Sequence, residues 1–413
     1  MEYGLIGEKL GHSFSKDIHN LIGNYDYILK EIPKDELTAF MTKKDFKGIN
    51  VTIPYKQDVI PFLDYIDPKA EEIGAVNTIV NKNGKLYGYN TDFFGLKNLI
   101  LANNIELNDK KVLILGTGGT SKTALAVARD LGAKEIYKVS RTKSETTISY
   151  EEACEKHCDA EIILNTTPVG MFPKNDASPI DISAFKNLQG AIDVIYNPLR
   201  TNFILSAKNK AIKASGGLYM LVIQAVVASE FFFDTKYPES LGNSIFKKIL
   251  SSKENIVFAG MPGCGKSTIG AEIAKALNRE FIDSDAYIWK TTGLKPDQII
   301  REKGIDAFRD IESECIKEIS SKQNCIISTG GGAILREKNV KFLKQNGIII
   351  FIDRKIENIK PTDDRPLSNN QEKLKTLYKE RYPIYKACAD FTVENNKDIN
   401  SVKNEILKIW ENK

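Results

Sequence analysis

The sequence predicts an α/β protein with at least two parallel sheets, and three observations carry that prediction. Two stretches share one signature, an apolar β-branched run ending in a glycine-rich turn and then a helical pattern: Lys111-Val-Leu-Ile-Leu-Gly116 and Asn255-Ile-Val-Phe-Ala-Gly260. A parallel sheet needs crossover helices on its faces, so two such starts far apart imply two separate sheets. The length of 413 residues, with 42% apolar and 27% charged, is that of a globular chain, at roughly 150 residues per domain.

Taken in order, residues 1–100 alternate short strands (Gly48 to Ile53, Ala75 to Val80) with helical patterns (Ser15 to Ile22, Asp92 to Asn103) and form a lobe of their own. Residues 101–216 form a second lobe around the Lys111 strand, and a helix over about 217–245 returns to complete the first. Tyr237-Pro-Glu-Ser-Leu-Gly-Asn-Ser244 is a breaker stretch, so a linker is expected at 245–254 and a last domain over 254–413. The most apolar run, Leu218 to Phe233, contains Gln224 and Glu230 and is short for a membrane span, so no membrane segment is expected.

Lys plus Arg number 58 against 54 Asp plus Glu, a net +4 without a basic block, which argues against nucleic acid as a partner. Only 10 of those 58 cations are Arg, so each Arg is a scarce choice. Six cysteines without pairing rhythm suit a reducing compartment. The acid at Glu2 and the absence of an apolar core behind it do not fit a signal peptide. A cytoplasmic protein is expected, and its oligomeric state is open.

Gly260-Met-Pro-Gly263-Cys-Gly265-Lys266-Ser267 fits G-x-x-x-x-G-K-[ST] between a strand and the amphipathic run Thr268 to Leu277. Glycines let consecutive N–H groups converge on phosphate oxygens, Lys266 reaches the outer phosphates, and Ser267 offers a hydroxyl to Mg²⁺ at a helix N-terminus. Behind this ATP-type loop, Asp283 and Asp285 stand two apart at a strand end, where they would point to opposite sides of the backbone. Arg309 and Glu312 share a helix face. Gly330, Gly331 and Gly332 end a third apolar run, where a ligand would lie close against backbone, and Arg365 and Arg381 follow. A helix cap would account for Asp283, or a surface ion pair for Arg309, if either stood alone.

Through the phosphate loop, D-x-D, F-R-x-x-E, G-G-G, R-P-L and R-x-x-x-Y in order, residues 254–413 resemble shikimate kinase, a P-loop fold like that of nucleoside monophosphate kinases. The resemblance implies that Arg309 and Arg381 clamp the shikimate carboxylate, while Asp285 and the Gly331-Gly332 backbone hold its hydroxyls. Guanidinium forks suit a carboxylate better than Lys does. It implies further that Lys266, Mg²⁺ and Arg365 neutralise the phosphates of ATP, that Asp285 orients the 3-hydroxyl, and that Asp283 joins Ser267 around the metal. Residues 354–369 would form a lid; the Arg that the family carries before R-P-L is replaced by Glu357-Asn-Ile-Lys360.

In the first half, Gly116-Thr-Gly118-Gly119-Thr-Ser121 is a pyrophosphate turn between strand and helix, with Ser121 where a third glycine would stand. The next strand ends in Ser140-Arg141-Thr142, a cation and two hydroxyls in place of the acid an NAD site uses, which favours the 2′-phosphate of NADP. Glu145 stands near where a second cation would help. Cys154 and Cys158 around His157 lack a second ligand pair and do not make a zinc site.

Residues 1–245 resemble shikimate dehydrogenase through Gly11-His-Ser13-Phe-Ser15, Asn50-Val-Thr52-Ile-Pro-Tyr-Lys56, Gly74-Ala-Val-Asn77-Thr, Asn90-Thr-Asp92, Asn165-Thr-Thr-Pro168, Asp193-Val-Ile-Tyr196-Asn-Pro198 and Gly217 to Gln224. The resemblance implies a shikimate-binding α/β lobe beside a Rossmann-like NADP lobe, with catalysis between them. Lys56 with Asp92 suits proton transfer at the 3-hydroxyl. Ser13, Ser15, Thr52, Asn77, Tyr196 and Gln224 suit its other oxygens, while His12 and His19 are assigned structural places. The two resemblances together imply a bifunctional enzyme of chorismate biosynthesis using NADP(H), ATP and Mg²⁺ on 3-dehydroshikimate and shikimate. The rivals are a ligand sensor without catalysis, or a quinate/shikimate dehydrogenase joined to a related small-molecule kinase.

Overall fold

A computed structural model describes residues 1–11, 13–360 and 370–413. The chain forms two compact units, Met1–Leu250 and Ser251–Lys413. The first unit holds two sheets. Strands β1 (Tyr3–Gly7), β2 (Tyr27–Glu31), β3 (Gly48–Val51), β4 (Tyr65–Ile66), β5 (Thr78–Lys82) and β6 (Lys85–Tyr89) lie in the order β2-β1-β3-β5-β6-β4. β1 runs parallel to β2 and β3, and β5 runs antiparallel to β3 and β6. The β5–β6 hairpin turns at Asn83 and Gly84, both at positive φ, as a tight turn of this hand requires. It sets Thr78 opposite Tyr89, so Asn77 and Thr91, just outside the paired ends, become neighbours.

The second sheet is wholly parallel: β7 (Lys111–Leu115), β8 (Glu135–Val139), β9 (Ile162–Asn165), β10 (Gly190–Asp193) and β11 (Lys213–Ser215), in the order β11-β10-β9-β7-β8. From β7 the chain moves to β8 on one side and returns to β9 on the other. The crevice at the carboxyl ends of β7 and β9 is therefore the switch point where such sheets bind ligands. Both faces of β7 are covered, which is why it reads as an unbroken apolar run: Val112 and Ile114 pack with Ala124 and Val127, Leu113 and Leu115 with Phe203 and Ile204.

Helix Thr91–Ala102 ties the two lobes together. Asn90 caps it by accepting from the Phe93 N–H, and Phe93, Leu96 and Leu99 join the cluster that covers Val112 and Ile114. Glycine at position 95 admits the helix Leu218–Phe233 at close range, since a Cβ there would lie 2.6 Å from the Met220 carbonyl oxygen. The expected single helix over 217–245 is two. Leu218–Phe233 stops at Asp234 in left-handed conformation, and Ser240–Lys253 begins beyond Pro238. The expected linker at 245–254 is thus mostly helical. Ile245 and Ile249, one turn apart, are buried with Val222 and Val226.

The second unit has one parallel sheet: β12 (Asn255–Ala259), β13 (Glu280–Asp283), β14 (Cys325–Ser328), β15 (Gly347–Asp353) and β16 (Phe391–Glu394), ordered β13-β14-β12-β15-β16. The central strand β12 is buried along its whole length and delivers Gly260 to the carboxyl edge. Among the described residues, no helix is long and apolar enough to cross a membrane.

Candidate active sites

In the first unit the carboxyl edge of β3 and the N-terminus of helix Thr91–Ala102 bring Lys56 and Asp92 together. Lys56 Nζ lies 2.6 Å from Asp92 Oδ2, with only 18% and 11% of their side chains exposed. The backbone of Lys56 is held by the Val76 N–H, which donates to its carbonyl at 2.8 Å. Asn77 is buried beside the pair and its Oδ1 accepts from the Thr91 N–H at 2.6 Å. Thr91 Oγ1 in turn donates to Gln224 Oε1 at 3.3 Å, bringing in the helix Leu218–Phe233. Thr52 sits at the end of β3, its N–H donating to the Ile6 carbonyl. Ser13 Oγ donates to Ser15 Oγ at 3.0 Å, and the Tyr196 ring lies 5.2 Å from that of Phe14 between them in sequence. Burial pushes the Tyr196 phenol up.

The dinucleotide turn lies at the switch crevice. Gly116 has φ 109°, and a Cβ there would lie 2.9 Å from Thr166 Oγ1, so only glycine fits. Gly118 and Gly119 face open space, which leaves their backbone free for a pyrophosphate at the start of helix Gly119–Asp130. Ser121, in place of a third glycine, is buried and donates to the Gly118 carbonyl at 2.9 Å, tightening the turn. Ser140, Arg141 and Thr142 follow β8; Arg141 and Thr142 are exposed, and Lys143 pairs with Glu152 at 2.6 Å. A dinucleotide fits this turn. Buried His19 is stacked on Tyr27 at 3.7 Å, and its Nδ1 meets Tyr25 Oη at 2.5 Å, a structural place.

In the second unit the expected residues line one cavity of about 550 Å³: Gly263, Gly265, Lys266, Ser267 and Thr268 on one wall, Asp283, Asp285, Arg309, Gly331, Gly332 and Arg381 around it. Gly260 supports the loop from below; a Cβ there would lie 2.7 Å from the Ile352 carbonyl oxygen. Lys266 is buried, and its ammonium donates to the carbonyls of Gly260 and Met261, both at 2.9 Å. Ser267 Oγ donates to Asp283 Oδ2 at 2.6 Å, and Ser328 Oγ stands 3.2 Å from the same hydroxyl. This oxygen-only cluster beside the phosphate loop suits hydrated Mg²⁺.

Asp285 corrects the expectation of two carboxylates on one strand. β13 ends at Asp283, whose Oδ1 accepts from the N–H groups of Asp285 and Ala286, so Asp285 stands in the first turn of helix Ser284–Thr292. From there its Oδ1 faces Gly330, within 2.7 Å of where a Cβ would stand.

Arg309 Nη1 pairs with Glu312 Oε2 at 2.5 Å, both buried, and a Cβ on Gly332 would fall on the Arg309 guanidinium. Burial raises Glu312, Arg309 opposes that rise, and among the described residues Glu312 Oε1 has no hydrogen-bond partner. Arg381 Nη1 donates to the Gly331 carbonyl at 3.0 Å, and Tyr385 Oη donates to the same oxygen. Burial lowers the Arg381 guanidinium. Arg365 and most of the expected lid lie outside the described residues.

Sequence reasoning missed Ser328, Arg354 and Asn395. Arg354 follows β15, lines the cavity, and buries an Nε without a partner among the described residues. The scarcity of arginine could have drawn attention to it. Asn395 Nδ2 donates to the Cys264 carbonyl at 2.7 Å and steadies the phosphate loop from the end of β16.

Comparison with known proteins divides along the chain. Residues 5–79 match the family model for the shikimate dehydrogenase substrate binding domain, and residues 262–411 match that for shikimate kinase. A shikimate dehydrogenase (NADP(+)) of Clostridium beijerinckii is 39% identical over 259 residues, 59% of this chain and 96% of that protein. The crystal structure of shikimate dehydrogenase 1 from Peptoclostridium difficile is 40% identical, covers 60% of this chain and 98% of its own, and superposes with a TM-score of 0.56. A Thermus thermophilus shikimate 5-dehydrogenase solved with NADP(H) and shikimate is 28% identical over 60% of this chain and 99% of its own, with a TM-score of 0.54.

Proposed function

We propose, from the premise that this chain belongs to the shikimate dehydrogenase family and carries a shikimate kinase domain behind it, that one polypeptide performs two consecutive reactions of chorismate biosynthesis. The first unit reduces 3-dehydroshikimate to shikimate with NADPH, and the second phosphorylates the shikimate 3-hydroxyl with ATP. The carrying observation is the pair of polar constellations: Lys56 against Asp92 in one unit, and phosphate loop, Asp285, Arg309 and Arg381 around one cavity in the other.

Gly116, Gly118 and Gly119 would hold NADPH, which would supply the hydride for the carbonyl carbon. Lys56 delivers a proton from its ammonium to the oxygen as the carbonyl becomes a hydroxyl, and Asp92 holds Nζ in place through the transfer. Ser13, Ser15, Thr52, Asn77, Tyr196 and Gln224 fix the ring and its carboxylate, so the reacting carbon faces the crevice between the lobes. Arg141, with Ser140 and Thr142, takes the 2′-phosphate of NADP.

In the second unit Arg309 and Arg381 bind the shikimate carboxylate, and Asp285 with the Gly331-Gly332 backbone orients the hydroxyls. Lys266 and Arg365 neutralise phosphate charge, and Ser267 with Asp283 would hold Mg²⁺, which screens the transferring phosphoryl group. The oxygen of the 3-hydroxyl attacks phosphorus, the bond to the ADP oxygen breaks, and Asp285 takes the hydroxyl proton. The substrates are small molecules, and the six cysteines, none in a disulfide, support a reducing, cytoplasmic setting.

The experiment is a time course with 3-dehydroshikimate, NADPH and MgATP, followed by mass. Wild-type protein should yield shikimate and then its phosphate ester; Lys56→Ala should stop at the keto acid, and Lys266→Ala should let shikimate accumulate. Quinate or another polyol acid turning over in preference would overturn the substrate assignment.

A further inference from the structure

Asp193 closes β10 and is fully buried, and the roles above leave it unused. Three donors converge on its carboxylate. Asn165 Nδ2 and the Ile195 N–H donate to Oδ1 at 3.0 and 3.1 Å, and Thr201 Oγ1 donates to Oδ2 at 2.6 Å. Asn165 is committed on its other side as well: its Oδ1 accepts from the Thr167 N–H at 3.0 Å and from Thr167 Oγ1 at 2.7 Å. Asp193 therefore fixes which way the Asn165 amide faces, and Asn165 fixes the turn through Thr167.

That turn lies against the dinucleotide turn. Thr166 donates to the Leu115 carbonyl through its N–H at 3.0 Å and its hydroxyl at 2.6 Å, and Thr166 and Thr167 both come within about 3 Å of where a Gly116 Cβ would stand. In the other direction Ile195 presents its carbonyl to the Gly217 N–H at 2.8 Å. Gly217 starts the helix that carries Gln224, and Tyr196 is the next residue after Ile195. One carboxylate is thus bonded into the wall of the cofactor site and into the segment bearing two substrate-side groups. Burial pushes the Asp193 carboxyl up to about 7, with Thr201, Ile195 and Asn165 opposing it. A buried acid costs stability where an apolar side chain would not, so a plain packing role does not explain an acceptor with three donors.

We propose that Asp193 is a positioning residue of the dehydrogenase: through Asn165 it sets the turn beside the dinucleotide, and through Ile195 it sets Tyr196 and the helix of Gln224, holding cofactor and substrate in one register. This rests on the dehydrogenase reading of the first unit.

The test measures KM for NADP⁺, KM for shikimate and kcat on the full-length protein carrying Asp193→Ala, Asp193→Asn or Asp193→Ser. Asp193→Ala should raise both KM values together, each by about tenfold or more, and Asp193→Asn, which keeps the Oδ1 acceptor, should return both to within about threefold of wild type. Both values staying within about twofold in Asp193→Ala, or only one of them rising, would overturn the proposal. Should Asp193→Ala fail to fold, Asp193→Ser decides by the same criterion, since it fills more of the space while drawing the acceptor back from Asn165 and Ile195. Failure of the wild-type protein to oxidise shikimate with NADP⁺ would instead sink the dehydrogenase reading.

Discussion

Ser267 and Asp283, 16 positions apart in the chain, meet in a hydrogen bond of 2.6 Å at the edge of the kinase cavity. The second oxygen of Asp283 caps helix Ser284–Thr292. One side chain thus serves the fold with one oxygen and the proposed metal shell with the other. Asparagine can keep the cap but loses the charge, so Asp283→Asn separates the two duties. The Mg²⁺ concentration for half-maximal kinase turnover should rise by about ten- to a hundredfold, with thermal stability near wild type. An unchanged Mg²⁺ titration would remove Asp283 from the metal shell.

Lys56→Ala should lower dehydrogenase kcat by roughly 10²- to 10⁴-fold, the usual range for a positioned proton carrier. NADP⁺ affinity and kinase turnover of the same chain should stay at wild-type levels, which distinguishes lost chemistry from lost folding. Nicotinamide absorbance and a coupled ADP assay read the two activities separately.

Gly332→Ala places a methyl group on the space that the Arg309 guanidinium fills. The backbone there, at φ −107° and ψ 0°, carries no left-handed strain, so the penalty falls on Arg309 and its pairing with Glu312. The kinase KM for shikimate should rise by about tenfold or more while the KM for ATP stays unchanged. A parallel rise in the ATP value would place the disturbance in the phosphate loop instead.

Stability against pH reads Asp193 directly. Its carboxyl is raised from 3.8 to about 7 by burial, so between those values the folded chain keeps a proton that the unfolded chain has released. Its contribution is fully present below pH about 4 and lost as pH rises through about 7, on the order of 4 kcal/mol across that window. Buried His19 acts oppositely: burial lowers it from 6.5 to about 3, so its contribution is present above 6.5 and lost on acidification. The difference between wild type and Asp193→Asn cancels the histidine. Asp193→Asn should gain stability relative to wild type as pH rises from 4 to 8, measured by denaturant unfolding of the first unit; a pH-independent difference would contradict the raised carboxyl.

The parts legible in the sequence were those set by local chemistry. Glycines with positive φ, such as Gly116 and Gly265, and the apolar runs of β7 and β12 report their strand and turn without help from distant residues. Positions fixed by tertiary packing were harder. The pairing of Ile245 and Ile249 with Val222 and Val226 turned an expected linker into helix, and the Asp283 cap pulled Asp285 out of the strand. Ser328 and Arg354 carry no motif of their own; only the arrangement of β12, β14 and β15 brings Arg354 to the cavity and Ser328 against Ser267.

The most direct measurement of the central claim is the number of shikimate molecules bound per chain, by calorimetry with saturating ADP and with NADP⁺ left out so that no oxidation occurs. Two sites should appear in the wild-type protein and one after Arg309→Ala, with the dehydrogenase activity of that variant intact. A single site in the wild type, or two that persist in Arg309→Ala, would contradict an enzyme that holds the same cyclic acid in both units.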